Sequence, residues 1–371
     1  MADFSTLIKP ASSLCNMRCK YCFYEDETSL RSTPCYGVMS RETAEKIIDR
    51  AYEFTQNGTV GFAFQGGEPT VAGLDYFTHF ISYAKEKRPE KVKLNFSIQT
   101  NGLLINENWC KLLSENNFLV GLSMDGPRDI NDFSRVDASG DGTFDRVMKT
   151  ARLFKKHKVD FNILTVLTKQ AARHPTQLWS FYKKNGFDFV QIIPCLAPLE
   201  NPNEKFPYTL TPRDYADFLK TFFRIWSDEL AKGNYISMRL FDNLVRMAMG
   251  QMPEMCGMMG SCSAQFVIEA DGGVYPCDFY VLDEYKCGNV HESSFNEIGE
   301  SQKVKSFLIQ SLQKPSKCGG CKFFGICRGG CRRYREFYSL EKNYCPYADF
   351  LEYSHVRLAN IAKILNENQG G

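Results

Sequence analysis

Three cysteines close to the start of the chain set the tightest constraint on what it can fold into. Cys15, Cys19 and Cys22 form a C-x3-C-x2-C pattern a few residues after a short apolar run. Thiolates this close can converge on one metal centre, whereas a closed structural zinc site needs a fourth ligand. No histidine or further cysteine lies beside the triplet before Cys35. The pattern therefore favours a metal site with an open position, while a zinc knuckle or a set of redox thiols stays open.

Composition narrows the class of protein. The 371 residues are 43% hydrophobic, enough for a large core and, as a prior, roughly two or three domains. With 45 basic and 43 acidic residues, the net charge of +2 predicts no nucleic-acid partner and no anionic membrane. No apolar run reaches the roughly 18 residues of a membrane helix, and no secretory signal begins the chain. We therefore expect a cytoplasmic protein, in which 15 cysteines are better explained as metal ligands than as disulfides.

Short β-rich runs alternate with helical patterns from residue 1 to about 235. This alternation favours a parallel α/β architecture with about six β/α units. The predicted strands are 6–9, 60–65, 93–99, 118–124, 161–167 and 189–194. The predicted helices are 40–51, 74–84, 107–114, 144–156, 176–184 and 211–231, and the aromatic stripe of the last one is typical of core packing.

The loops after these strands carry unusual segments. Parallel barrels place their chemistry at the carboxyl ends of the strands. Paired glycines let backbone approach a ligand closely, so Gly66 and Gly67 would expose peptide groups able to bind an α-amino group. Each segment taken alone is equally compatible with an ordinary Gly/Pro turn. The segments are 65–69, 99–102, 123–127 and 194–196.

A second group of cysteines fills the C-terminal part, where nine lie between Cys256 and Cys345. Without Cys287 they number eight, which suits two four-cysteine iron-sulfur clusters. Two structural zinc sites are the alternative, because a C-x2-C pair serves either metal. The eight are Cys256, Cys262, Cys277, Cys318, Cys321, Cys327, Cys331 and Cys345.

The motifs together resemble a known family. The N-terminal triplet, with Tyr21 before its last cysteine, resembles the radical SAM enzymes, and the C-terminal pattern resembles their SPASM extension. With Gln65–Pro69 and Pro276–Tyr280 included, the chain resembles the anaerobic sulfatase-maturating enzymes from about Leu7 to Tyr347. The resemblance implies an α/β fold, a partial (β/α)6 TIM-type barrel over residues 1–235. A cysteine-rich SPASM domain with a C-terminal helix would follow over residues 236–371.

The same resemblance implies the cofactors and their ligands, namely three [4Fe-4S] clusters and S-adenosyl-L-methionine. Cys15, Cys19 and Cys22 would bind the cluster that cleaves S-adenosyl-L-methionine, which Tyr21, Gly67, Ser123, Arg135 and Leu196 would hold. One auxiliary cluster would take Cys256, Cys262, Cys277 and Cys331, and the other Cys318, Cys321, Cys327 and Cys345. Cys35, Cys110, Cys195 and Cys287 receive no role, and a lone cysteine is more often a small buried apolar residue.

Family members oxidise a Cys or Ser within a sulfatase Cys/Ser-x-Pro-x-Arg motif to Cα-formylglycine without oxygen. The change removes one hydrogen atom, one proton and one electron. A 5'-deoxyadenosyl radical would take the Cβ hydrogen, which is chemistry that the cofactor supplies. Asp278 matches the family's catalytic base for the proton, and the electron would pass to an auxiliary cluster. For Asp278 the alternative is a carboxylate that only orients the cluster loop.

The implied partners are an unfolded or nascent sulfatase polypeptide and an external one-electron donor such as flavodoxin or ferredoxin, with the enzyme itself a monomer. Two other functions remain open from the sequence. The first is a SPASM peptide maturase that forms a thioether or carbon-carbon crosslink on a ribosomal peptide. The second is a protein without enzymatic activity, either an electron carrier or a zinc-stabilised interaction protein.

Overall fold

The computed structural model describes residues 3–200 and 204–369. The chain forms two compact units, each assembled from segments that are distant in sequence. The first unit consists of Met1–Ser123, Arg135–Phe161 and Ser263–Leu308. The second consists of Met124–Ser134, Asn162–Cys262 and Ile309–Gly371.

The strands and helices are bounded as follows. The strands are β1 Phe4–Ile8, β2 Gly58–Phe64, β3 Val92–Thr100, β4 Leu119–Ser123, β5 Asp160–Leu167, β6 Phe189–Pro194, β7 Ser237–Met238, β8 Val267–Ile268, β9 Gly273–Tyr275 and β10 Gly288–Asn289. The helices of the first 200 residues are α1 Phe23–Ser29, α2 Arg41–Phe54, α3 Leu74–Lys87, α4 Glu107–Glu115, α5 Arg128–Ser134, α6 Phe144–Lys156, α7 Lys169–Ala172 and α8 Pro175–Asn185. Those that follow are α9 Pro212–Ala231, α10 Arg239–Ala248, α11 Phe295–Gly299, α12 Gln302–Ser311, α13 Phe324–Cys327, α14 Arg332–Tyr338 and α15 Pro346–Gln369.

The sheet of the first unit runs in the order β10-β9-β8-β1-β2-β3-β4. The strands β1 to β4 are parallel, as Ser97 opposite Leu119 illustrates for β3 and β4. On the other side of β1, β8 pairs in parallel with Leu7 opposite Val267, and β8, β9 and β10 then form an antiparallel ribbon. The pairing of β1 with β8 brings residues 263–308 beside the strand that leads into the cysteine triplet.

Aromatic side chains form the core between this sheet and its helices. Phe62 and Phe64 from β2 meet Phe80 of α3 edge to face, with ring centroids 5.1 and 5.0 Å apart. Phe96 and Phe118 stack at 5.1 Å in the same layer. Their alternation along the strands follows from the two-residue period that puts every second side chain on one face.

In the second unit, β5, β6 and β7 pair in parallel. The long helix α9 begins with a capping box between Thr211 and Asp214, which satisfies donors at its first turn. The aromatic stripe of α9 is buried, and Phe223 packs against Phe241 of α10 and Phe350 of α15. The prediction that this stripe is core is therefore confirmed.

The sequence pattern located the β/α elements well. All six predicted strands and all six predicted helices are present, with ends shifted by a few residues. The short strands after residue 236 and the short helices were not predicted, because two or three residues carry no periodic signal. The predicted domain boundary near residue 235 stays a prediction. It divides the sequence into two consecutive modules, whereas each compact unit contains residues from both sides of the boundary. Among the described residues, no helix has the length and apolar character needed to cross a membrane.

We expect Phe80→Ala to destabilise the first unit strongly, because Phe80 is fully buried among other rings. Removing a buried phenylalanine typically costs about 3–5 kcal/mol through lost burial and the cavity left behind. Thermal unfolding followed by circular dichroism measures the effect. The matched control is Phe189→Ala, because Phe189 is 59% exposed. Equal midpoints for the two variants would contradict this account of the core.

Candidate functional site

The cysteine triplet lies in the loop between β1 and α1. Arg18 N donates a hydrogen bond of 2.8 Å to Val136 O, which pins the loop to a neighbouring segment of the first unit. Met17 N donates to the Sγ of Cys15 at 3.4 Å, and Cys22 caps the start of α1. Burial, with smaller contributions from Glu68 and Cys22, raises the pKa of the Cys15 thiol to about 11. The two thiols are therefore close enough to interact, and metal binding would have to deprotonate them.

Arg135 supplies positive charge to the triplet. Its Nη1 donates to the Oη of Tyr21 at 3.0 Å, so two predicted cofactor-binding residues are in contact. The guanidinium is buried and lowers the pKa of both Cys15 and Cys22, against the larger effect of burial. A fixed cation beside these thiols favours their thiolate forms, which are the metal ligands.

The glycine pair after β2 packs against the triplet loop. Gly67 N donates to Ser12 O at 2.8 Å, and a Cβ on Gly67 would lie only 2.3 Å from Leu14 O. Only glycine permits so close an approach of the two backbones. Gly66 has a φ of +123°, which side chains rarely adopt.

Glu68 joins the loops after β2 and β3. Its buried carboxylate accepts hydrogen bonds from Thr70 Oγ1 at 2.6 Å, from Thr100 Oγ1 at 2.7 Å and from Asn101 N at 2.7 Å. Burial raises the pKa of this carboxyl, and the hydrogen bonds oppose that rise. Asn101 Nδ2 in turn donates to Asn16 Oδ1 at 2.7 Å. The ends of the first three strands are thus tied together, as predicted, although the sequence did not single out Glu68 or Asn101.

The other predicted cofactor-binding residues lie at the ends of later strands. Ser123 is the buried last residue of β4 in the first unit. Leu196 follows β6 in the second unit and is half-buried.

Asp278 begins a single 3-10 turn directly after Cys277. Its Oδ1 accepts a 2.6 Å charged hydrogen bond from the Nζ of Lys9, whose side chain is fully buried. The Lys9 ammonium also lies 3.8 Å from the ring centroid of Tyr24, a cation-π contact. The Asp278 side chain keeps 16% of its surface exposed. Sequence reasoning missed Lys9, although a lysine at the end of an otherwise buried strand was a usable signal.

A second buried ion pair lies beneath α1. Arg31 Nη1 donates to Glu269 Oε1 at 2.7 Å, and both side chains are fully buried. Tyr24 Oη donates to the same carboxylate oxygen. Burial raises the pKa of Tyr24 well above its usual value, and Glu269 adds to the rise. This network fixes the helix that follows the cysteine triplet to the residues after β8.

In the second unit the C-terminal cysteines fall into two groups. Burial, with smaller contributions from the thiols of Cys345, Cys318 and Cys321, raises the pKa of Cys327 to about 12. Burial likewise raises the pKa of Cys331 to about 11, with further contributions from Cys256 and Cys262. A Cβ on Gly257 would lie 3.3 Å from the Cβ of Cys331, which shows how closely these two segments pack. The eighth predicted ligand, Cys277, belongs to the first unit.

These surroundings fit iron-sulfur clusters. Within the described residues, no three His, Cys, Asp or Glu side chains are close enough to enclose a single metal ion. The thiols within each group are farther apart than the ligands of a single ion, but they are close enough to interact electrostatically. Backbone N–H groups hydrogen-bond to the sulfurs of Cys22, Cys327 and Cys331. Sulfur-directed hydrogen bonds of this kind stabilise and tune bound clusters.

The cysteines without a predicted role differ in exposure. Cys110 and Cys195 are buried, as expected of small apolar residues, and burial raises the pKa of both. Cys287 is half-buried, with its Sγ 3.2 Å from Tyr285 O. Cys35 is exposed, unlike the expectation for a lone cysteine.

Comparison with known proteins supplies independent information. The model of the Radical SAM superfamily matches residues 10–175, and that of the SPASM iron-sulfur cluster-binding domain matches residues 256–322. The chain is 44% identical to a cysteine-type anaerobic sulfatase-maturating enzyme of Clostridium novyi, with 100% of each chain covered. It is 45% identical to one of Clostridium perfringens over 98% of this chain and 99% of that protein. The solved structure of native anSMEcpe with bound AdoMet and Kp18Cys peptide matches at a TM-score of 0.91 and 43% identity, covering 98% of this chain and 99% of that one.

We expect Gly67→Ala to weaken the triplet loop, because the added Cβ meets the Leu14 backbone at 2.3 Å. Overpacking of this kind typically costs about 1–3 kcal/mol. Thermal unfolding and the iron content after anaerobic reconstitution measure the loss. Gly61→Ala is the control, since its Cβ would meet the Ser5 hydroxyl at 3.2 Å, which can rotate away. A Gly67→Ala protein as stable and as iron-rich as the control would refute the close packing.

We expect Lys9→Met to destabilise the protein by about 3–5 kcal/mol, because it leaves the Asp278 carboxylate without its partner. The double variant Lys9→Met/Asp278→Asn removes both charges and should recover part of the loss. Urea unfolding of the four proteins in this double-mutant cycle gives the coupling energy. Strictly additive effects would mean that the two side chains do not interact.

Proposed function

Because the chain belongs to the anaerobic sulfatase-maturating enzymes of the radical SAM superfamily, we propose that it oxidises a Cys or Ser in a sulfatase Cys/Ser-x-Pro-x-Arg motif to Cα-formylglycine without oxygen. It is an α/β protein with a radical SAM domain followed by a SPASM domain. The observation that carries the proposal is the partly exposed Asp278, placed by a buried lysine in the unit that holds the cysteine triplet.

Cys15, Cys19 and Cys22 would hold a [4Fe-4S] cluster, and Tyr21, Gly67, Ser123, Arg135 and Leu196 would hold S-adenosyl-L-methionine. Once bound, these cofactors would supply the abstraction of a hydrogen atom from the unactivated Cβ of the substrate. The chain's own residues position and charge-balance them. Arg135 offsets the negative charge of the thiolates, and the glycine pair leaves backbone free to approach a ligand. The bound AdoMet of the matched structure supports this assignment.

Asp278 would take the proton from the substrate side chain. Lys9 occupies Oδ1, and within the described part of the chain no hydrogen bond engages Oδ2. That second oxygen is the atom able to reach a thiol or hydroxyl at hydrogen-bond distance.

The electron would leave through the auxiliary clusters. Cys256, Cys262, Cys277 and Cys331 would hold one of them, and Cys318, Cys321, Cys327 and Cys345 the other. The grouping of the second unit's thiols supports this division. We propose a boundary between barrel and SPASM domain at residues 235 and 236, within the stretch between family matches that end at 175 and begin at 256.

The partner would be an unfolded or nascent sulfatase polypeptide, because the matched structure contains a bound peptide. A flavodoxin or ferredoxin would supply single electrons, and the enzyme would act as a monomer in the cytoplasm. All 15 cysteines are free of disulfides, which suits a reducing compartment. Both relatives named above are cysteine-type enzymes, so a cysteine peptide is the first substrate to test.

The deciding experiment is an anaerobic assay with S-adenosyl-L-methionine, reductant and a Cys-x-Pro-x-Arg or Ser-x-Pro-x-Arg peptide. Mass spectrometry follows the aldehyde product, and chromatography follows 5'-deoxyadenosine. Aldehyde formation supports the proposal. Cleavage of the cofactor with neither peptide oxidised would point instead to another modification, such as a crosslink.

We expect Asp278→Asn to keep its iron and its cleavage of S-adenosyl-L-methionine while aldehyde formation falls by about 10²-fold or more, the usual contribution of a general base. The same assay measures both products. Asp283→Asn is the control, because Asp283 is an exposed carboxylate of the same segment, bound to Ser32 N at 2.8 Å. Loss of iron both in Asp278→Asn and in Lys9→Met/Asp278→Asn, which leaves no unpaired charge, would indicate that the carboxylate only supports the cluster loop.

A further inference from the structure

A buried arginine connects the segments that carry the C-terminal cysteines. Arg335 lies in α14 and is only 7% exposed. Within the part of the chain that the structure describes, each of its five N–H donors faces a backbone carbonyl and none faces a carboxylate. The acceptors are Gly329 O at 2.8 Å, Ser311 O at 2.6 Å, Gln313 O at 2.9 Å, Gly260 O at 3.2 Å and Gly330 O at 2.9 Å.

These carbonyls belong to the loops that present both groups of thiols. Gly260 lies between Cys256 and Cys262, and residues 329–330 lie between Cys327 and Cys331. Residues 311–313 come shortly before Cys318. One guanidinium therefore fixes the relative positions of three loops that together hold ligands of two clusters.

Lys314 strengthens this junction. Its Nζ donates to Ser311 O at 2.8 Å and also to Gly260 O. A Cβ on Gly329 would lie 2.6 Å from the Lys314 Cδ, so the lysine stem fills the space beside the turn between Cys327 and Cys331. Two cations thus meet at the same carbonyl, Gly260 O.

The charge of Arg335 needs compensation, because a buried cation without a counter-charge is costly. Carbonyl dipoles solvate it, but they carry no net charge. Burial lowers the pKa of the guanidinium, and the groups that raise it are the thiolates of Cys262, Cys331, Cys318 and Cys327. These four cysteines come from both proposed cluster sites, so Arg335 lies within electrostatic reach of both sites.

We propose that Arg335 is a positioning residue shared by the two auxiliary clusters, which orders their ligand loops and raises their reduction potentials. The inference rests on the proposed function insofar as it takes these cysteines to be cluster ligands. Reduction adds negative charge to a cluster, so a nearby fixed cation stabilises the reduced form. A cluster with a raised potential accepts the substrate's electron more readily.

The test uses the full chain carrying Cys15→Ala, Cys19→Ala and Cys22→Ala, so that the auxiliary clusters alone contribute to the signal. In this parent we compare Arg335→Gln, which removes the charge, with Arg335→Lys, which keeps it with fewer donors. Arg357→Gln is the control for net charge, because Arg357 is an exposed cation of α15 paired with Asp228. Anaerobic potentiometric titration with electron paramagnetic resonance measures the reduced fraction of each cluster.

We expect Arg335→Gln to lower the ratio of reduced to oxidised auxiliary cluster about tenfold at a given potential, a shift of about 59 mV for a one-electron couple. Arg335→Lys should stay within about threefold of the parent, and Arg357→Gln should match it. An iron-loaded Arg335→Gln protein with the parent's midpoints would overturn the proposal.

If Arg335→Gln fails to retain iron, Arg335→Lys decides the outcome. Iron-loaded Arg335→Lys with the parent's midpoints supports the role of the charge, whereas a tenfold shift in this charge-retaining variant overturns it. A parent that forms no cluster would overturn the ligand assignment itself, which separates that failure from a failure of the role given to Arg335.

Discussion

The candidate site depends on the ion pair between Lys9 and Asp278, which joins residues 269 positions apart. The pair exists because β8 extends the sheet beside β1, so that the residues after Tyr275 return to the end of the first strand. Lys9 is fully buried and Asp278 is mostly buried, so each charge offsets part of the cost of burying the other. A segment of the SPASM match thereby reaches the end of the strand that leads into the radical SAM match, which begins at residue 10.

Each group of cysteines combines buried thiols with nearby cations and backbone donors. Thiols buried without metal favour the neutral form, as the raised pKa values of Cys15, Cys327 and Cys331 show. Cations and backbone N–H donors beside the sulfurs stabilise the thiolates that form when a metal binds. Arg135 is the cation beside the N-terminal triplet, and Arg335 is the cation beside the C-terminal thiols. Folding and cluster binding are therefore linked through the same few buried cations.

The main strands and the candidate cysteine ligands could be predicted from the sequence, because both depend on local sequence pattern. Hydrophobic periodicity located the strands β1 to β6, and cysteine spacing identified the candidate ligands. The partners that act over long range could not be predicted in this way. The pair Arg31–Glu269 spans 238 positions, and no local pattern shows that a strand of two residues will bring its neighbours beside α1. The five carbonyl acceptors of Arg335 were equally hidden, since every residue carries a carbonyl.

The arrangement at Asp278 also bears on the choice between cysteine and serine substrates. Lys9 engages one carboxylate oxygen of Asp278, and the Asp278 side chain keeps 16% of its surface exposed. A thiol, with an ordinary pKa of about 8.5, gives up a proton far more easily than an alkyl hydroxyl does. If Asp278 acts as the base proposed above, a cysteine therefore demands less of it than a serine does. On the chemistry of the two side chains alone, a cysteine peptide is thus the easier substrate for the proposed reaction.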